Sequence, residues 1–327
     1  MGNKKNIIKK PGVKTLSIHH GETFSEETGC VMPPIFSTST FKHGNKGNFD
    51  YTRSGNPNFK ILENILKSIE ESKYCTIFGS GISAVTAITS SLKSGDKILC
   101  ESNLYGCTVR MFDKIFKKFG IEVLYTDFTN KENFKEIKDF QPTLIWLESP
   151  TNPLLKVLDI KLICNEANKY KIPVVLDNTF STALIQKPLE LGATLSLIST
   201  TKFINGHSDA LGGAVLTNNE EWNNKMLFSQ KALGLQPSPF DTWLITRGVK
   251  TLPLRIEQQS KSAEIISKEI ENHRIISKVF YPFNQKHPQF NLAKSQMKSG
   301  GSMITLKLNL NKSDTFKFCK SLRYFSL

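Results

Sequence analysis

Between about residue 60 and residue 217 the sequence alternates short apolar runs with amphipathic stretches of helical period. This alternation narrows the fold more than any other feature. Candidate strands fall at residues 74–78, 97–100, 122–125, 144–147, 174–176, 195–198 and 214–216, with helical patterns between them at 61–72, 109–119 and 160–170. Strands separated by helices cannot pair as hairpins. They assemble as a mainly parallel sheet with helices on both faces, an α/β architecture. The 327 residues, 39% apolar and 22% charged, are ample for a buried core.

The flanks read differently. Residues 1–50 lack periodic pattern and contain Gly, Pro, Ser and Thr, as expected of an extended arm. From about residue 250 a long helical stretch at 255–272 leads to strands near 277–281 and 302–308 and a helix near 314–322. The expected organisation is an N-terminal arm (1–50), a large domain (51–248) and a smaller α+β domain (249–327). No internal repeat is visible.

Charge and cysteine usage exclude several function classes. The formal net charge is +14, yet the excess is lysine spread along the chain, and arginine occurs only at 53, 110, 247, 255, 274 and 323. The densest cluster, Lys4, Lys5, Lys9, Lys10 and Lys14, reads as a solvated tail, so no nucleic-acid surface is expected. The six cysteines (30, 75, 100, 107, 164, 319) form no C-x-x-C pair and have no histidine at zinc-ligand spacing. Reduced thiols, no metal and a cytoplasmic location are expected. No apolar stretch follows the N-terminal lysines, so no signal peptide is expected, and no run reaches the roughly 18 apolar residues a membrane span needs.

Three segments carry chemistry. Ser199-Thr200-Thr201-Lys202 precedes Asn205-Gly206-His207-Ser208-Asp209. A nucleophilic lysine needs a site near polar partners that lowers its pKa, and hydroxyls beside it can hold a phosphate; alone, such a lysine is usually just solvated. In the second segment, the apolar run from Val174 ends in Asp177. In open α/β sheets ligands bind beyond the carboxyl ends of strands, though a helix N-cap is the plainer role for such an aspartate. Asp177 precedes Lys202 by 25 residues, about one helix plus one strand, which puts both on one rim of the sheet. The third, Phe78-Gly79-Ser80-Gly81-Ile82-Ser83, joins a strand to a helix whose first N–H groups can face an anion; a plain structural turn is the alternative.

Together with Tyr51-Thr52-Arg53-Ser54-Gly55-Asn56-Pro57, Leu104-Tyr105-Gly106, Glu148-Ser149-Pro150-Thr151-Asn152-Pro153 and Arg247-Gly248-Val249-Lys250-Thr251-Leu252, these segments resemble the Cys/Met-metabolism family of pyridoxal 5′-phosphate (PLP) enzymes, from about residue 15 to the last. The resemblance implies the aspartate-aminotransferase-like fold (fold-type I), with PLP in the large domain and active sites shared within a homodimer, usually paired into a tetramer. It implies that Lys202 carries the cofactor and shuttles protons, that Asp177 faces the pyridine nitrogen, and that Tyr105 stacks on the ring. Gly81 and Ile82 N–H groups with the Ser199 and Thr201 hydroxyls would hold the phosphate. Tyr51 and Arg53 would reach a neighbouring subunit's phosphate, and Asn152 would lie near the cofactor oxygen and the substrate carboxylate.

Within the family, Gly29-Cys30-Val31-Met32-Pro33-Pro34, the stretch from Leu147 to Leu155, and Arg110 look most like the cystathionine γ-synthases. Cys107 is similar to the methionine γ-lyases, and a small filler beside the ring is its plainer role. The implied activity is γ-replacement on an O-acylhomoserine with cysteine, with β- or γ-lysis as the alternative. The family's carboxylate-clamping arginine belongs to a segment beyond Leu327, and Arg323 does not occupy its motif. The small domain is therefore expected to be incomplete, and an inactive PLP-binding scaffold is a third possibility.

Overall fold

The protein is described here from a computed structural model, which covers residues 11–20 and 29–325. Apart from Lys14, the N-terminal lysine cluster lies outside the described residues. Seven strands form one sheet: β1 (Tyr74–Phe78), β2 (Lys97–Glu101), β3 (Glu122–Thr126), β4 (Leu144–Glu148), β5 (Val174–Asp177), β6 (Leu195–Ile198) and β7 (Gly213–Thr217). Their spatial order is β1-β7-β6-β5-β4-β2-β3. All run parallel except β7, which pairs antiparallel with both β1 and β6. Every strand expected between residues 60 and 217 is present, within one residue at each end, whereas the strand expected near 302–308 begins only at Thr305.

Helices enclose this sheet. Before it lie α1 (Val13–His19) and α2 (Pro57–Glu70). Between its strands run α3 (Gly81–Thr89), α4 (Gly106–Lys114), α5 (Lys135–Phe140), α6 (Ile160–Asn168) and α7 (Thr182–Ile185). After it come α8 (Glu220–Ala232), α9 (Pro239–Val249) and α10 (Leu252–Glu269). Alternate residues of β4 serve opposite layers. Leu144 and Trp146 pack with Val85, Ile88, Met111 and Phe112 of α3 and α4, while Ile145 and Leu147 pack with Ile160, Ile163 and Cys164 of α6. Burial on both faces is why β4 reads as an unbroken apolar run rather than an alternating one. Each such side chain contributes roughly 1.5–3 kcal/mol by leaving water.

Helix ends depart from the sequence reading for local reasons. The Asn56 side chain accepts from Asn58 N–H and Pro57 occupies the first turn, so α2 starts four residues early; it ends where Glu71 turns left-handed. The pattern at 109–119 divides at Ile115 into α4 and a 3₁₀ turn, Phe116–Phe119, closed by Gly120 at φ +80°. The stretch expected to be an extended arm contains α1, whose Ser17 is buried. Residues 29–51 are otherwise irregular, with one bridge between Thr40 and Tyr51, and a 3₁₀ turn follows at Thr52–Ser54.

Beyond α10, β8 (Ile276–Phe280) and β9 (Thr305–Leu308) form a separate antiparallel pair over Ala263 and Tyr281, accompanied by α11 (Phe290–Gln296) and α12 (Lys312–Ser321). This second layer grips the loop after β4. His287 Nε2 donates to Leu155 O at 3.1 Å, since its Nδ1 accepts from Gln289 N–H, and Thr305 Oγ1 donates to Pro153 O at 2.6 Å. Strands β2 and β3 lead one way across the sheet and β4, β5 and β6 the other. The loops after β2 and β4 therefore diverge and open a crevice at the carboxyl rim.

Candidate active site

A cleft of about 450 Å³ opens at this rim. Its walls include Gly81, Ile82, Tyr105, Asn152, Asp177, Ser199, Thr201 and Lys202, eight of the ten positions expected from the sequence. Six strand ends bring them together: β1 leads to Gly81, β2 to Tyr105, β4 to Asn152, β5 ends on Asp177, and β6 leads to Ser199 and Lys202, while Gly212 before β7 holds Thr201.

On one side α3 begins. Ser80 caps it by accepting from Ser83 N–H, which leaves the Gly81 and Ile82 N–H groups without partners among the described residues. A Cβ on Gly81 would lie 2.9 Å from Ser199 Cβ and 3.0 Å from its Oγ, so the helix start seats against the end of β6 only because residue 81 is glycine. The Ser199 hydroxyl has no hydrogen-bond partner among the described residues. Thr201 differs: its hydroxyl donates to Gly212 O at 3.2 Å and accepts from Gly212 N–H at 3.0 Å. Two free N–H groups, a free hydroxyl and the positive end of a helix dipole suit a phosphate dianion.

Asp177 lies opposite. It caps no helix. Its Oδ1 accepts from Thr179 N–H at 3.0 Å and Thr179 Oγ1 at 2.6 Å, and Oδ2 has no partner among the described residues. Thr179 Oγ1 in turn accepts from Ser199 N–H at 2.9 Å, which ties the end of β5 to the end of β6. Burial raises the Asp177 carboxyl above its ordinary range, and the two Thr179 bonds pull it back. Thr179 went unassigned in the sequence, although a Thr two residues after an Asp is a recurrent turn spacing.

Lys202 reaches the cleft from the turn after β6, and its ammonium has neither hydrogen bond nor ion pair among the described residues. Tyr105 is 40% exposed, which leaves its ring open to the cleft. Cys107, at the start of α4, is more than filler: its Sγ accepts from Arg110 Nη2 at 2.8 Å. Contact with the Tyr105 hydroxyl, then Arg110, lowers the thiol's pKa below its ordinary value, and the same contact raises the phenol's.

Glu148 is the other residue whose role sequence reasoning missed. It is buried at the end of β4. Its Oε2 accepts from Tyr105 N–H at 2.7 Å and its Oε1 from Asn152 N–H at 2.9 Å, joining the two loops that flank the crevice. Burial, then the neighbouring Asp177 charge, push its carboxyl well above the usual range.

Tyr51 and Arg53 stand outside this cleft. The Arg53 guanidinium lies 5.3 Å from the Tyr51 ring centroid and donates to Lys231 O at 2.9 Å. Among the described residues no group of three or more His, Cys, Asp or Glu side chains could hold a metal ion, and no helix is long and apolar enough to cross a membrane.

The donor set fits PLP: an anion cradle, a carboxylate with one free oxygen, an unpartnered amine and an open aromatic face. Comparison with known proteins agrees. The family model of Cys/Met metabolism PLP-dependent enzymes matches residues 14–327. A probable cystathionine gamma-synthase of Herpetosiphon aurantiacus is 40% identical over 300 residues, 91% of this chain and 94% of that protein. The cystathionine gamma-lyase of Dictyostelium discoideum is 37% identical over 96% of this chain and 82% of its own length. The crystal structure of metB from Corynebacterium glutamicum superposes with a TM-score of 0.94 at 36% identity, covering 97% of this chain and 84% of that one. A cystathionine gamma synthase from Xanthomonas oryzae, solved with aminoacrylate and cysteine, gives 0.93 at 34% identity, over 97% of this chain and 83% of that one. The chain therefore has the fold-type I architecture and belongs to the Cys/Met-metabolism family of PLP-dependent enzymes.

Proposed function

We propose that the chain catalyses γ-replacement on an O-acylhomoserine with cysteine, giving cystathionine. The observation that carries this reading is the convergence of Lys202, Asp177, Tyr105 and Asn152 on one cleft beside an anion cradle. The 40% identity to a probable cystathionine gamma-synthase over nearly its whole length supports the choice of reaction.

PLP, when bound, supplies an electron sink that eases proton removal beside the substrate's amino carbon. In this reading Gly81 and Ile82 N–H groups and the Ser199 hydroxyl bind the phosphate, with Thr201 shaping the cradle. Asp177 would keep negative charge at the pyridine nitrogen, with Thr179 fixing its carboxylate. Lys202 carries the cofactor, then uses its amine to take the α-proton and move a β-proton. The Cγ–O bond of the ester breaks, its carboxylate departs, and the Cγ–S bond to cysteine forms as the thiol loses its proton. Tyr105 covers the ring and assists proton transfer. Asn152 orients the substrate.

Residues 51–248 act as the large domain and 249–327 as the small one, in a cytoplasmic homodimer or tetramer whose partner subunits receive Tyr51 and Arg53 at their phosphates. A lyase is the second reading, favoured by the Cys107–Tyr105 contact and by relatives named lyases at nearly equal identity. Product analysis decides between them. Cystathionine formed from O-succinylhomoserine only when cysteine is present is the expected result. Release of an oxo acid from cystathionine alone, with no synthesis, would sink the synthase reading.

A further inference from the structure

Arg255 sits on α10 and is no part of the cleft wall, yet its guanidinium reaches the turn that follows Lys202. Nη1 donates to Phe203 O at 2.7 Å. Nη2 donates to Gly248 O at 2.9 Å and Ile204 O at 3.2 Å, with Asn205 O at 3.4 Å, and Nε donates to Thr251 Oγ1 at 3.1 Å. All three nitrogens are engaged, and among the described residues no carboxylate is one of their partners. Three of the acceptors are the successive carbonyls of residues 203, 204 and 205.

Gly206 completes the contact. Its φ is +72°, and a Cβ there would lie 1.9 Å from Arg255 Nη1 and 2.3 Å from Cζ. The backbone conformation therefore favours glycine, and a methyl group there would push the guanidinium out of its place. Gly206 N–H donates to Lys202 O at 2.7 Å, and Asn205 N–H to Thr200 O at 2.9 Å. Guanidinium, Gly206 and the Lys202 backbone are thus linked by direct contacts.

We infer that Arg255 is a positioning residue: it clamps the 203–206 turn and, through Gly206, holds the backbone from which Lys202 enters the cleft. The inference rests on the reading of Lys202 as the cofactor-bearing lysine. A planar fork with donors on three nitrogens spans these carbonyls, and a lysine ammonium cannot.

The test uses the PLP-loaded protein. R255K keeps the charge but loses the fork; G206A keeps the arginine but places a methyl group where the guanidinium lies. Both should weaken the visible circular dichroism of bound PLP and lower kcat by about tenfold to a hundredfold, with KM changed far less. The double variant should be no worse than the worse single one, because both break one contact. Unaltered visible dichroism and kcat in a folded single variant, or fully additive losses in the double, would overturn the inference. Should one variant not fold, the other decides. Hydrogen exchange of the unsubstituted holoenzyme gives a further readout: the Asn205 and Gly206 amides should be protected like α10, and exchange at a free-loop rate overturns the clamp. Borohydride reduction and peptide mapping separate the two ideas. A label away from Lys202 sinks the cofactor-lysine reading, whereas a label on Lys202 with unaltered variants sinks the clamp alone.

Discussion

Glu148 and Asp177 are register partners at the last rung of the β4–β5 ladder, and their carboxylates face different tasks. Glu148 uses both oxygens on backbone N–H groups of the Tyr105 and Asn152 loops. Asp177, on the cleft wall, uses one oxygen on Thr179 and leaves the other without a partner among the described residues. Two desolvated carboxylates on adjacent strands resist ionising together. Burial raises both carboxyls above their ordinary range, and at Glu148 the neighbouring Asp177 charge adds to the rise.

Asp177→Asn should therefore retain part of the PLP and lose turnover by about a hundredfold or more, the scale seen when a preorganised electrostatic partner is removed. Steady-state kinetics alongside the cofactor's absorbance will show both effects. Unchanged turnover would reduce Asp177 to a turn residue held by Thr179.

Lys202 should carry the pyridoxyl group after borohydride reduction and proteolysis. Its amine is the one lysine amine on the cleft wall, and nothing competes for it among the described residues. Lys202→Ala should lose turnover entirely while still folding, because the side chain makes no hydrogen bond or ion pair that the fold would miss.

Mixing Arg53→Ala and Lys202→Ala subunits should restore activity to two inactive preparations. Arg53 does not line its own chain's cleft and donates instead to Lys231 O. If it serves a neighbour, half of randomly mixed dimers are hybrids with one intact site of two, or roughly a quarter of full activity. Subunit exchange confirmed by mass spectrometry with no recovered activity would mean that each cleft is complete within one chain.

Glu70 predicts an alkaline weakness. Both its carboxylate oxygens are buried, and among the described residues only the equally buried Ser196 hydroxyl approaches them, without forming a well-aligned hydrogen bond. Burial raises its pKa from 4.5 to about 8, with Ser196 and Lys187 pulling the other way. The folded chain thus holds a proton that the unfolded chain releases above 4.5. This stabilisation is complete below pH 4.5 and is lost as pH rises through about 8, at a slope approaching ~1.4 kcal/mol per pH unit. Glu70→Gln should remove that slope in denaturant titrations between pH 5 and 8 and exceed the natural chain in stability above it. An unchanged slope would place the titrating group elsewhere.

Strand positions were legible in the sequence because apolar runs and turn residues act locally. A strand buried on both faces must be continuously apolar wherever the sheet places it, so β4 and β5 were visible before their neighbours were known. Asp177 and Lys202 were also legible, because one helix and one strand between them return the chain to the same rim. The partner choices were not. Glu148 reads as an ordinary strand-end glutamate until β2 and β4 become neighbours and bring Tyr105, 43 residues away in sequence, onto its oxygen. Arg255 reads as a surface residue of a helix until α10 lays it over the turn after Lys202, about 50 residues earlier in sequence. Periodicity and capping depend on the nearest few residues, so the sequence alone determines them. Hydrogen bonds between distant loops depend on strand order and helix docking, and only the packed tertiary structure decides them.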